Sequence, residues 1–353
     1  MQVTRILLYP FSLLYGTIMA VRNSLYDRRY FTSTSFALPV ISIGNLTVGG
    51  TGKTPHVEYL LRLLRNKKVA TLSRGYKRQS KGYVLANASA SAATLGDEPF
   101  QYYQDFPGVT VAVSEDRAAG IQQLLLREPS LEAIILDDAY QHRGVVPSLN
   151  ILLTDYARLF YEDLVLPAGR LREFPVNANR ADAIVVTKCA RDILPEQMEK
   201  IKIAIYRFVS KSVPVFFTRY EYATPVACGL KEPISRSVLL ITAIANPQPL
   251  EQYLLDQGYQ VLQHYRFPDH HAYTAAEMQK IFSEWQRYSQ KAAVSIVTTR
   301  KDAVKLTEPG LAAIWRTLPF FYLPVRVVFV QDQFEFDALI LNHLASKSKP
   351  ENN

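Results

Sequence analysis

Thr47, Val48, Gly49, Gly50, Thr51, Gly52, Lys53 and Thr54 form the stretch of this chain best equipped for chemistry. Glycines let bare backbone N–H groups approach a bound group, and the adjoining lysine and threonine add an ammonium charge and a hydroxyl. An apolar run at 38–43 precedes them. A helical pattern follows, with Val57, Leu60, Leu61 and Leu64 recurring on one face. Strand, glycine-rich turn and helix N-terminus together make a polyphosphate cradle. In such a loop Lys53 contacts the β- and γ-phosphates of a nucleoside triphosphate and Thr54 ligates Mg²⁺. The general pattern G-x-x-x-x-G-K-[ST] is only partly met, because Thr47 stands where its first glycine belongs.

Other residues have types that suit the same reaction. Asp137 and Asp138 end the apolar run 133–136, where a hard cation would find oxygen ligands directly or through water. Which of the two touches the metal is open. Arg170, Arg172 and Glu173 follow residues 164–169 as a compact charged cluster. The arginines suit phosphate clamps, on the nucleotide or on the acceptor, and Glu173 suits either the metal shell or the orientation of an arginine. Arg74, Arg117 and Arg143 are further candidates for anion contact. Asp97, within Gly96-Asp97-Glu98-Pro99, reads on its own as an acidic turn before a proline. Its chemical alternative is a carboxylate that accepts the proton of an attacking hydroxyl.

The phosphate loop belongs to a longer string, Gly44-Asn45-Leu46-Thr47-Val48-Gly49-Gly50-Thr51-Gly52-Lys53-Thr54-Pro55, which resembles the tetraacyldisaccharide 4′-kinases, the lipid A 4′-kinases of Gram-negative bacteria. Similar strings follow in family order. They are Leu72-Ser73-Arg74-Gly75-Tyr76, Gly96-Asp97-Glu98-Pro99 and the run from Leu136 to Arg143. Then come the run from Leu166 to Glu173, Asp269-His270-His271, and the run from Thr299 to Lys305. Two departures are visible: Ala139-Tyr140 where Gly-Phe is common, and Phe174 where proline is usual. The resemblance implies an ATP- and Mg²⁺-dependent kinase that phosphorylates the 4′-hydroxyl of a tetraacyldisaccharide 1-phosphate, giving lipid IVA. It also implies that Asp97 is the base, paired with His270. A glycolipid substrate in turn implies a protein resting peripherally on the cytoplasmic face of the inner membrane.

The elements that must position these residues alternate between strand and helix. Strands are expected at 38–43, 68–73, 108–113, 133–136, 150–154 and 183–187, and helices at 53–65 and 118–127. That alternation predicts an α/β fold with a doubly wound, mainly parallel sheet. Residues 86–95, almost all small, read as a surface loop. A second, smaller α/β unit is expected from 226 to 345. It would contain strands at 238–243, 294–298 and 325–330 and helices at 249–257 and 275–289. Residues 31–213 form the first unit, 214–225 the connection, and 346–353 a polar tail. Placing His270 in the second unit puts the active site in the cleft between the two.

Residues 6–21 carry no charge and are flanked by Arg5, Arg22, Arg28 and Arg29. As a helix they reach about 24 Å, short of the roughly 30 Å hydrocarbon core. Residues 1–30 are therefore read either as an interfacial helix, with Leu7, Leu8, Phe11, Leu14, Tyr15 and Ile18 facing lipid, or as a helix packed on the protein's own core. A net charge of +8 favours an anionic partner. No arginine-rich run or zinc spacing points to nucleic acid, and no obligate protein partner is evident. Cys189 and Cys228 lack metal spacing and read as free thiols. Two other readings fit the loop: a phosphate-loop enzyme with a soluble acceptor, and a nucleotide switch that hydrolyses without a phosphorylated product.

Overall fold

The computed structural model describes residues 2–269, 271–306 and 309–347. Helix α1 (Gln2–Asp27) precedes a first unit whose strands are β1 (Val40–Asn45), β2 (Val69–Ser73), β3 (Val84–Leu85), β4 (Thr110–Val113), β5 (Ala133–Asp137), β6 (Leu149–Asp155), β7 (Ala183–Thr187) and β8 (Val215–Tyr222). Its helices are α2 (Lys53–Leu63), α3 (Ala92–Leu95), α4 (Asp97–Asp105), α5 (Arg117–Arg127) and α6 (Pro195–Ile205). The second unit holds β9 (Val226–Ala227), β10 (Ser237–Thr242), β11 (Gln260–Arg266), β12 (Val294–Thr299) and β13 (Phe320–Leu323). Helices α7 (Gln248–Asp256), α8 (Ala275–Ser289), α9 (Arg300–Leu306) and α10 (Pro309–Trp315) belong to it. The chain then returns through β14 (Val325–Phe329) and α11 (Gln333–Lys347).

Nine strands form the large sheet in the order β14-β8-β7-β6-β1-β5-β2-β4-β3. Pairing is parallel except at the two edges, β14 on β8 and β3 on β4. Strands β1, β2, β5 and β7 are buried along their whole length, as continuous apolar runs in a sheet covered on both faces must be. Helix α2 lays Val57, Leu60 and Leu61 on this sheet. Each leucine buried there is worth about 2 kcal/mol of transfer free energy. The second sheet runs β11-β10-β12-β13-β9, parallel but for its last strand.

Four expectations need correction. Residues 325–330 were expected in the second unit, yet β14 pairs with β8 in the large sheet. Helix α11 likewise buries Phe336, Ile340 and Leu344 in that sheet's core. The reason is apolar complementarity across the two units: Val327 and Phe329 join the same cluster as Phe216 and Val185. Residues 214–225, expected as a connection, are mostly strand β8, so two paired strands join the units rather than a loose linker. Of the expected loop at 86–95, the last four residues form α3. Ser91 caps that turn by accepting from the amide of Thr94. Helix α11 continues through Ser346 and Lys347, two residues into the expected tail.

Candidate active site

Parallel pairing places the two halves of the phosphate site side by side. In the register of β1 against β5, Ile43 stands opposite Asp137, so the loop leaving β1 and the carboxylate ending β5 emerge together at the sheet's centre. The loop is braced from several directions. Asn45 Nδ2 donates to Thr51 Oγ1 (2.7 Å), and Thr187 Oγ1 donates to the Thr51 carbonyl (2.8 Å). The Val48 amide donates to the Arg170 carbonyl (2.8 Å), and Lys188 bonds the Gly50 carbonyl. His56, one turn into α2, sets its Nδ1 2.8 Å from the Gly52 carbonyl and its Nε2 3.1 Å from Thr218 Oγ1. Burial pushes the His56 imidazole down to about 4, which keeps it neutral.

Gly52 opens α2 in a left-handed conformation, φ 89°, and a Cβ there would lie 1.9 Å from Tyr220 Oη. Only glycine fits. No side chain caps the N-terminus of α2, so its first amides and its dipole face outward beside Gly49 and Gly50, where an added Cβ would meet nothing within 4 Å. That is the geometry of an anion cradle.

Around it stand charged groups of both signs. Lys53 Nζ lies 3.6 Å from Asp138 Oδ1, and Arg172 donates to the same carboxylate at 3.1 Å. Asp138 sits at φ 50°, in the left-handed region. Despite its burial, Lys53 and Arg172 hold it below the usual carboxylate range. Asp137 behaves oppositely. Burial and the nearby Glu98 charge push it up to about 7, against the pull of Lys53. Tyr102 donates to Asp137 Oδ2 (3.1 Å), while Asp137 Oδ1 is buried with no partner among the described residues. An orphaned carboxylate oxygen at the end of β5, beside the anion cradle, fits a hard cation such as Mg²⁺. No group of three or more His, Cys, Asp or Glu side chains among the described residues would cage a metal by itself.

Helix α4 links this site to Asp97. Asp97 is its first residue, Glu98 its second, and Tyr102 reaches from the same helix to Asp137. Lys305 Nζ, from α9 of the second unit, stands 3.4 Å from Asp97 Oδ2. His270 lies outside the described residues. Its neighbour Asp269 pairs with Lys301 at 3.4 Å, and His271 pairs with Glu277 at 3.0 Å while stacking on Phe267.

The remaining expected residues scatter. Arg117 is buried, donates to the backbone carbonyls of Ser114 and Asp137, and is pushed down to about 10 by that burial. Arg143 pairs with Asp27 of α1 at 2.6 Å. Arg74 and Arg170 have exposed side chains. Glu173 is fully buried, with one oxygen held by Asn23 (2.7 Å) and Arg180 (2.9 Å), so the contacts around it orient an arginine. The sequence reading passed over His56, Glu98, Tyr102, Asn23 and Lys305. Glu98 and Lys305 had a signal, since each lies in a string the sequence already singles out, and Tyr102 follows Glu98 at i+4; Asn23 had none, since long-range packing alone brings it here.

Helix α1 docks through its small and polar stripe. Ser12 Oγ accepts from the Ala168 amide (2.8 Å), Gly16 packs on the Phe174 ring, and Asn23 reaches Glu173. A Cβ on Gly16 would fall 2.3 Å from Phe174 Cζ, so the unusual phenylalanine fills space that this glycine leaves. Ile6, Leu7, Phe11, Leu14, Ile18 and Val21 are each more than half exposed. Tyr15, expected on that outer face, turns inward against the second core cluster. Among the described residues no helix is long and apolar enough to cross a membrane.

Comparison with known proteins agrees with this geometry. The family model of tetraacyldisaccharide-1-P 4′-kinases matches residues 4–345. A tetraacyldisaccharide 4′-kinase from Flavobacterium johnsoniae is 43% identical over 357 residues, covering 99% of this chain and 100% of that protein. One from Bacteroides thetaiotaomicron is 43% identical over 360 residues, covering 97% and 94%. Among solved structures, LpxK from Aquifex aeolicus in complex with ATP superposes with a TM-score of 0.73 at 31% identity, covering 97% of this chain and 99% of that one.

Proposed function

The chain belongs to the tetraacyldisaccharide 4′-kinase family and is an ATP-dependent lipid A 4′-kinase, and from that premise we propose how its residues divide the reaction. Lys53 and the amides at the start of α2 hold the triphosphate. Thr54 and Asp137 would hold Mg²⁺, which when bound would supply charge neutralisation to the transferring phosphate. Asp138 keeps Lys53 and Arg172 directed into the site. Asp97 orients the acceptor's 4′-hydroxyl and takes its proton as the oxygen forms its bond to Pγ. The bond from Pγ to the β,γ-bridging oxygen breaks, and ADP leaves. His270 assists Asp97. Phosphoryl transfer through a loose transition state asks for this positioning more than for a strong base.

The observation that carries the reading is helix α4: one end presents Asp97, and its middle plants Tyr102 on Asp137. A single rigid element thereby sets the distance between nucleotide and acceptor. The outward apolar face of α1 supports a further part of the reading. The protein lies on the cytoplasmic surface of the inner membrane, where its lipid substrate resides, with that face among the acyl chains. Incubation with γ-labelled ATP and a tetraacyldisaccharide 1-phosphate tests the activity. The label should appear at the 4′ position; label found only as inorganic phosphate would contradict it.

A further inference from the structure

The segment from Thr299 to Lys305 stands out in the sequence, yet nothing in the reaction described so far uses it. In the structure it forms the end of β12 and the helix α9, which packs on α4. Arg300 at the start of α9 grips Asp105 at the end of α4 in a two-nitrogen clamp, with contacts of 2.6–3.1 Å, and also bonds Gln104. Lys305, near the end of α9, reaches Asp97 at the start of α4. The helices therefore run antiparallel with an ion pair at each end. Between the two pairs, Val304 enters an apolar cluster with Leu95, Phe100 and Val113 of the first unit.

The two ion pairs differ in kind. Arg300 is held bidentately and suffices to dock α9 on α4. Among the described residues, Lys305 makes one contact of 3.4 Å to Asp97 and has three other neighbours. These are the His271 carbonyl at 3.2 Å, Asp302 Oδ1 at 3.7 Å and the Tyr273 ring with its centroid 5.8 Å away. Its side chain is only 9% exposed. Asp302 is itself locked, accepting from the Ala243 amide and the Thr299 hydroxyl. The ammonium thus has a fixed counterion within its own unit, and its reach to Asp97 is additional to what burying a lysine requires. It also joins the Asp97 carboxylate to the backbone beside His270.

We propose that Lys305 is a positioning residue for the transfer reaction, setting the Asp97 carboxylate in register with the backbone at His271 across the interface between the two units. The inference rests on the reading of Asp97 as the base. A cation at that spot gives the carboxylate a fixed partner and so a fixed direction. It has no contact with the phosphate loop in the structure, so its influence falls on the acceptor side alone.

The test is a double-mutant cycle in the full chain, read by single-turnover transfer from γ-labelled ATP. Lys305→Met and Lys305→Gln should lower kcat 10- to 100-fold while KM for ATP stays within twofold, and Lys305→Arg should restore most of the rate. In an Asp97→Asn background, Lys305→Gln should add less than a twofold loss, because the group it acts through is gone. Lys305→Gln retains a donor for the His271 carbonyl and carries the test if Lys305→Met does not fold. Parental activity in the Lys305 variants, with Asp97→Asn impaired, overturns this inference and leaves the base reading standing. An equal loss in both backgrounds also overturns it, as that is the mark of mere docking. Parental activity in Asp97→Asn overturns the base reading and this inference together.

Discussion

The loop from Gly49 to Thr54 is a continuous piece of chain whose geometry is settled by its own glycines and by bonds to neighbouring strand ends. Asp97 is held differently. It opens a helix whose far end, middle and first residue are each fixed by another segment: Arg300, Asp137 and Lys305. On the proposed reading, the nucleotide side is a rigid cradle belonging to one sheet, whereas the acceptor side is a junction between two units.

Variants should separate the two halves. Lys53→Ala should strike both binding and transfer, weakening ATP affinity and lowering kcat/KM about 10³-fold, since the ammonium acts on ground state and transition state alike. Calorimetry together with steady-state kinetics checks it, and unaltered ATP affinity would break the assignment of Lys53 to the cradle.

The cradle should also reveal itself through pH. His56 is neutral in the fold with its pKa lowered from 6.5 to about 4, so between those values the unfolded chain binds a proton that the folded one refuses. The associated stability is complete above about pH 6.5 and is lost as pH falls toward 4, amounting to about 3 kcal/mol. His142, lowered to about 4 chiefly by burial and then by Arg117, titrates over the same window. The informative quantity is thus the difference between parent and His56→Gln in denaturant titrations at pH 7 and pH 4.5. The gap in stability between them should narrow on acidification; a gap independent of pH would remove His56 from the account.

A smaller effect is expected at the membrane. Phe11→Ser removes one exposed aromatic from α1 without touching its docked stripe, and should weaken partition onto anionic phospholipid vesicles about tenfold. Co-sedimentation measures it, and unchanged partition would mean that the outer face of α1 does not meet lipid.

Much of this molecule was legible in its sequence, and unevenly so. The cradle was readable because phosphate binding by backbone amides demands glycines at fixed spacings next to a strand and a helix, all within about twenty residues. The strands β5 and β7 were readable as unbroken apolar runs. Strand β14 was recognised but placed in the wrong unit, because an apolar strand carries no label for the sheet it joins. The inward turn of Tyr15 escaped for a related reason: periodicity tells which residues share a face, while the docking of Ser12, Gly16 and Asn23 decides which face is inside. The separate fates of Asp137 and Asp138 were also hidden. Only the backbone at φ 50° and the approach of Tyr102 set one carboxylate toward Lys53 and leave the other with an unpartnered oxygen.

The sharpest single measurement is made on Asp97→Asn, which preserves shape and removes the carboxylate's charge. ATP affinity, measured by calorimetry in the presence of Mg²⁺, should stay within twofold of the parent. Phosphate transfer to the 4′-hydroxyl should fall by about 10²- to 10⁴-fold, the range a positioned proton acceptor contributes. Transfer at the parental rate, or ATP binding lost along with it, would contradict the division between a nucleotide cradle and a separately assembled acceptor carboxylate.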